Sequence, residues 1–171
     1  MWGEPADLTP FTDADADAFA REMGRPARGV LAVAYRCAHA VPAVVQTAPR
    51  LPDGTPFPTM FYLCCSALTA AVSRMESAGV MRAMTDRLGD DGTLADAYRR
   101  AHEAYLAVRN GVADLGIAVS AGGMPTRVKC LHVLLAHTLA VGRGVNPLGD
   151  ETLDLLGEYT QGPICAALPP V

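Results

Sequence analysis

The sequence predicts an α+β protein, with a small, mainly antiparallel three-stranded sheet over about residues 29–65 packed against a helical C-terminal half. Two observations support this fold class. In the first half, short apolar runs rich in strand-forming residues are joined by connections too brief to hold the crossover helices that parallel strands require. From Ser66 onward, the apolar residues instead recur with the spacing of a helix.

Three strands are expected in the first half of the chain. Val30–Tyr35 is a continuous apolar run, residues 43–47 return after a turn, and residues 59–64 follow a second turn. Because two reversals separate the first strand from the third, these two strands are predicted to run in the same direction.

The helical half contains most of the remaining predicted elements. Helices are expected over residues 13–23, 66–79, 80–88, 93–110, 126–141 and 150–158. A chain of 171 residues fits a single domain. We expect its core to span about residues 13–158, with residues 1–11 as a loose arm and the segment after Gly162 as a loose tail.

Charge and composition exclude several classes of function. The net charge is −4 and the basic residues are scattered, which disfavours general binding to nucleic acid. No apolar run reaches the roughly 18 residues of a membrane span, and the N-terminus does not resemble a secretory signal. The five cysteines do not form the pattern of a secreted disulfide framework, so a cytoplasmic protein with reduced thiols is expected.

Three cysteines lie at the ends of predicted elements, where metal and catalytic sites are usually built. Cys37 closes the first strand and Cys65 the third, so both are predicted at the same edge of the sheet. Cys130 lies near the start of a helix, two residues before His132. A tetrahedral zinc site takes four cysteine or histidine ligands, and these four residues are the predicted set.

The four-ligand hypothesis makes a geometric demand on the helix. Residues two apart in a regular helix point about 200° apart, so Cys130 and His132 can share an ion only if the helix has not yet begun there. His137, two helical turns from Cys130, is the alternative ligand. Zinc is the expected metal, and an iron–sulfur cluster is the second choice. The metal-binding domain is expected to have a structural or regulatory role.

Other interpretations compete with a metal site. Cys130 beside Lys129, the only lysine in the chain, could be a nucleophilic thiolate. The Gly-rich approach to the same helix is predicted to bind an anion. Its anion-binding residues are Gly122, Gly123, Arg127 and Lys129. That alternative makes the protein an enzyme or binding protein for a phosphorylated small molecule or polyphosphate, with His132 or His102 as acid/base. A third possibility is an interaction protein with cysteines in its core.

Several segments together resemble DUF501, a bacterial family of unknown function. The similar segments are residues 28–37, 52–59, 120–125, 128–132 and 146–149, within about residues 18–155. The resemblance implies conserved metal-type residues at Cys37, at Cys65 and in Lys129-Cys130-Leu131-His132. Cys64 departs from the usual pattern and is therefore a competing ligand. Genes of this family often lie near those of a cell-division septum protein and an exopolyphosphatase, which implies a loose link to phosphate metabolism or cell division.

Overall fold

A computed structural model of the protein describes residues 2–161. Its strands are β1 (Val30–Arg36), β2 (Pro42–Thr47) and β3 (Phe61–Leu63). Its helices are α1 (Asp13–Met23), α2 (Ser66–Ser77), α3 (Val80–Asp90), α4 (Gly92–Val112), α5 (Leu131–Val141) and α6 (Pro147–Tyr159). The tail predicted to be loose after Gly162 lies outside the described residues.

The three strands form one antiparallel sheet in the order β1-β2-β3. β2 lies in the centre, with Val45 opposite Val33 of β1 and Val44 opposite Leu63 of β3. All six residues of β2 are buried, as expected for a central strand covered on both faces. The predicted α+β class is confirmed, and β1 and β3 run in the same direction.

The N-terminal arm is ordered against the sheet, although the sequence predicted a loose segment. Thr9 and Val33 exchange two backbone hydrogen bonds, of 2.8 and 2.9 Å. The N–H of Ala6 also donates to the carbonyl of Ala140, at 3.2 Å. The two bonds with Val33 satisfy backbone groups on the outer edge of β1, and the bond to Ala140 ties the arm to α5.

Helix α5 occupies the middle of the core. Nine of its residues are buried, and it packs against the sheet, α2 and α6. A helix that is apolar on all sides belongs in the interior, and α5 has that composition. The predicted helices 13–23 and 80–88 match α1 and α3 closely, and Gly24, which follows α1, has a left-handed φ of 68°.

The start of α5 differs from the prediction. The sequence predicted a helix from about residue 126, whereas α5 begins at Leu131. The residues before Leu131 form a loop, because their backbone N–H groups donate to acceptors other than those of a regular helix. The N–H of Lys129 donates to Gly122 at 2.7 Å, and that of Val128 to the Thr85 hydroxyl at 2.9 Å.

Across residues 2–161, none of the helices has the length and apolar character needed to cross a membrane.

Candidate metal centre

The late start of α5 brings Cys130 and His132 to the same side of the chain. Cys130 is the residue before the helix and has an extended backbone, with φ −155° and ψ 108°. Its Sγ lies 3.9 Å from Nδ1 of His132. The geometric condition set by the sequence is therefore met, because the helix has not begun at Cys130.

A third ligand-type group comes from Glu76, in the last turn of α2. Its Oε1 lies 3.1 Å from Nδ1 of His132 and accepts a hydrogen bond of 2.7 Å from the backbone N–H of Leu131. The ligand atoms of Glu76, Cys130 and His132 all lie within 4.8 Å of one another. We call these three residues the 76/130/132 cluster.

The His132 ring is oriented by contacts on its other nitrogen. Nε2 lies 3.3 Å from the carbonyl oxygen of Thr69 and 3.3 Å from Oγ of Ser73. A carbonyl can only accept, so this contact assigns the hydrogen of a neutral ring to Nε2. The lone pair of Nδ1 then points toward the sulfur of Cys130 and the carboxylate of Glu76.

Three electron-rich atoms in this arrangement need a positive charge between them. A proton on Nδ1 supplies it when no metal is bound. The hydrogen bond with Cys130, together with the nearby Glu76 carboxylate, raises the pKa of His132 to about 8 against the opposing effect of burial. A divalent metal would meet the same need by coordinating all three atoms.

The cluster opens onto a cavity of about 400 Å³. Cys130 and His132 form part of its wall. The remaining lining residues are Met23, Phe57, Thr59, Phe61, Tyr62, Leu63, Thr69 and Val133. The side chains of His132 and Glu76 are 25% and 23% exposed, so the cluster is accessible without being fully solvated. Two of the three cluster residues therefore border the cavity, whereas Glu76 does not line it.

Cys37 and Cys65 lie at the same end of the sheet, as strand direction predicted. The N–H of Cys37 donates to Val41 at 2.9 Å, and that of Cys64 donates to Ala43 at 2.8 Å, so both strand ends flank the start of β2. Both Cys37 and Cys65 are buried in the main core.

The structure does not bring these two cysteines to Cys130 and His132. Within residues 2–161, the 76/130/132 cluster is the one set of three or more potential ligands close enough to share an ion. Cys65 precedes α2, whereas Glu76 is in its last turn, a separation of about 16 Å along a helix. Cys65 and Glu76 therefore cannot bind the same metal.

The alternative ligands His137 and Cys64 also lie elsewhere. His137 is fully buried, stacks on Phe61 with ring centroids 6.0 Å apart, and has Nδ1 3.2 Å from the Asn146 amide nitrogen. The thiol of Cys64 donates to the carbonyl of Pro42 at 3.4 Å, and burial raises its pKa to about 12. Both residues have structural roles in the core.

Two backbone donors of the predicted anion loop, those of Arg127 and Lys129, bond within the loop. Gly122 accepts from the N–H of Lys129, and Gly123 accepts from that of Arg127 at 3.2 Å. Gly123 has a φ of 93°, and a Cβ there would lie 2.7 Å from the Arg127 carbonyl. These glycines thus allow the chain to approach itself closely. At the start of α5, the backbone N–H of Leu131 donates to the carboxylate of Glu76, which takes the place expected for a bound anion.

His102, the other predicted acid/base, lies outside the cluster. Its Nδ1 is 2.8 Å from Oγ of Ser120, which is almost completely buried. Burial lowers the pKa of His102. The pair joins α4 to the start of the Gly-rich loop, which is a structural contact.

Sequence reasoning missed Glu76, which is separated from Cys130 by two further helices. One signal did point to a distant carboxylate. The residue before α5 is a cysteine, which makes no capping hydrogen bond, so the first backbone donors of this helix need an acceptor from another element.

Comparison with known proteins places the chain in a family but does not assign an activity. No curated protein and no solved structure matches it. A family model described as "Protein of unknown function (DUF501)" matches residues 33–154, which is more than half of the chain and includes the whole 76/130/132 cluster. This protein therefore belongs to the DUF501 family.

Proposed function

We propose that this protein binds one divalent transition metal, zinc in the first instance, through Glu76, Cys130 and His132. The observation that carries the proposal is the convergence of a sulfur, an imidazole nitrogen and a carboxylate oxygen within 4.8 Å. These are the three ligand types that zinc takes in proteins. Three protein ligands with one open position are the usual arrangement of reactive zinc sites, whereas structural sites are closed by four.

The surroundings of the cluster support a metal in the way that outer-shell groups do at known sites. The Thr69 carbonyl fixes the ring of His132 and leaves Nδ1 free to coordinate. The N–H of Leu131 holds the carboxylate of Glu76. Two of the three ligands are thus held in place by the backbone.

The ligand set favours zinc over an iron–sulfur cluster. Iron–sulfur clusters are held mainly by several thiolates, and the 76/130/132 cluster contains one. A reducing cytoplasm suits the proposed site, because Cys130 must remain reduced in order to coordinate a metal. The alternative of a phosphorylated ligand at residues 120–129 has weaker support, since the N–H groups of Arg127 and Lys129 already have acceptors.

Metal analysis of untagged protein, purified without chelator, tests the proposal. We expect about one zinc per chain, and loss of the metal in Cys130→Ala and in Glu76→Ala. Cys65→Ala is the matched control, because it removes a buried cysteine outside the cluster and should retain the metal. A folded wild-type protein that binds no added zinc, cobalt or iron would contradict the proposal.

A further inference from the structure

The cavity beside the 76/130/132 cluster has the size and lining of a small-molecule site. Its volume of about 400 Å³ lies within the range typical of ligand pockets, about 300–1,000 Å³. Two partly exposed aromatic residues, Phe57 and Tyr62, contribute to its wall, and a third lining residue, Phe61, is fully buried. Its lining contains no lysine, arginine, aspartate or glutamate among the described residues. An apolar wall of this kind favours an apolar, ring-containing ligand.

The polar groups of the cavity are few and close to the metal position. Thr69 lines the cavity, and its hydroxyl is buried without a hydrogen-bond partner in the part of the chain that the structure describes. The hydroxyl of Tyr62 already accepts a hydrogen bond of 2.9 Å from Arg25. Because the Thr69 oxygen has almost no accessible surface, it adds no polar contact to the cavity wall.

The charge of the loaded centre selects against anions. One thiolate and one carboxylate balance a divalent ion, and His132 is neutral when it coordinates through Nδ1. A further negative charge would enter an uncharged, mainly apolar cavity, where burying an unpaired ion is costly. A neutral donor atom would avoid that cost.

We propose that this cavity binds a small uncharged aromatic molecule, whose nitrogen or oxygen donor occupies the open position of the metal. This inference rests on the proposed metal site and adds the class of its ligand. It differs from the phosphorylated ligand that the Gly-rich loop predicted, because the cavity wall offers a phosphate no cationic side chain apart from His132, which coordinates as the neutral ring.

Titration of the full chain loaded with cobalt(II) tests the ligand class, because the visible bands of cobalt report on its fourth ligand. The probes are imidazole, 4-phenylimidazole and inorganic phosphate. We expect 4-phenylimidazole to bind at least about tenfold more tightly than imidazole, because its ring buries apolar surface in the cavity. Phosphate should leave the bands unchanged.

Two variants test whether the cavity wall causes the tighter binding of 4-phenylimidazole. Phe57→Ala removes one ring from the cavity wall and should reduce the tenfold preference. Trp2→Ala, at an aromatic residue that is 57% exposed and does not line this cavity, should leave it unchanged. Circular dichroism checks that both variants remain folded.

The outcomes separate the two proposals. Absence of cobalt bands in a folded protein overturns the metal site and this inference together. Cobalt bands with equal affinity for the two azoles, or with a response to phosphate, overturn the ligand class and leave the metal site standing. A preference unchanged in Phe57→Ala also overturns the assignment to this cavity.

Discussion

Oε1 of Glu76 lies 2.7 Å from the backbone nitrogen of Leu131, so a carboxylate from the end of α2 caps the start of α5. Cys130 occupies the N-cap position of α5, but its side chain makes no capping hydrogen bond. The same oxygen lies 3.1 Å from Nδ1 of His132. One side chain therefore stabilises the central helix and completes the candidate metal centre.

The two roles of Glu76 can be separated by substitution. In metal-free buffer, Glu76→Ala should lower the free energy of unfolding by about 0.5–2 kcal/mol, the usual cost of losing a helix cap. Glu76→Gln keeps an oxygen for the N–H of Leu131 and should lose less. Both variants should bind zinc poorly, because neither has a carboxylate ligand. Urea denaturation and metal analysis measure the two effects, and equal destabilisation of both variants would contradict a capping role.

Burial of His137 predicts a dependence of stability on pH. Burial lowers the pKa of His137 to about 3, from 6.5 in the unfolded chain. Between pH 3 and pH 6.5, His137 is therefore mostly protonated in the unfolded state and mostly neutral in the folded state. The resulting stability is complete above pH 6.5 and is lost as pH falls toward 3, by about 1.4 kcal/mol for each pH unit in that window.

His137→Gln isolates this effect, since glutamine does not titrate and offers an acceptor to Asn146. We expect the metal-free variant to lose less unfolding free energy than the wild type between pH 7 and pH 5.5. Urea denaturation at several pH values gives both slopes. Parallel slopes for the two proteins would show that His137 does not titrate as its burial requires.

Arg109 is fully buried and holds the loop that follows α4. Its Nη2 donates to the carbonyl of Ile117 at 2.8 Å, and its Nη1 donates to that of Val119 at 2.5 Å. Arg109→Met should cost about 3 kcal/mol, because hydrogen bonds from a charged group are worth about 1.5–3 kcal/mol each. Hydrogen exchange should also accelerate over residues 113–120.

Arg99→Ala provides the comparison for Arg109, because Arg99 lies on the same helix and forms an exposed pair with Glu103. We expect little change in stability or exchange in that variant. An Arg109→Met protein as stable as Arg99→Ala would contradict the bracing role of the buried guanidinium.

The sequence predicted the sheet well because its signals are local. Turn residues and strand-forming runs determine where strands begin and reverse, and strand direction correctly placed Cys37 and Cys65 at one end of the sheet. The start of α5 was predicted too early, since the hydroxyl of Thr85, a distant residue, competes for a backbone donor of the loop. Such long-range contacts leave no periodic signal.

The sequence predicted only part of the candidate site, because local signals reveal Cys130 and His132 but not the distant Glu76. Cys130 and His132 are neighbours in the chain, so their proximity followed from one local condition, the extended backbone at Cys130. Glu76 reads in the sequence as an ordinary polar residue of a surface helix. Its role depends on the packing of α2 against α5, which the pattern of either helix alone does not specify.

X-ray absorption spectroscopy of the zinc-loaded protein tests the central claim most directly, because it counts the sulfur atoms around the metal. Zinc–sulfur bonds are about 2.3 Å long, and zinc–nitrogen or zinc–oxygen bonds are about 2.0–2.2 Å. The 76/130/132 cluster predicts one sulfur together with nitrogen and oxygen ligands. Three sulfurs would contradict it and would instead support coordination by Cys37, Cys65 and Cys130.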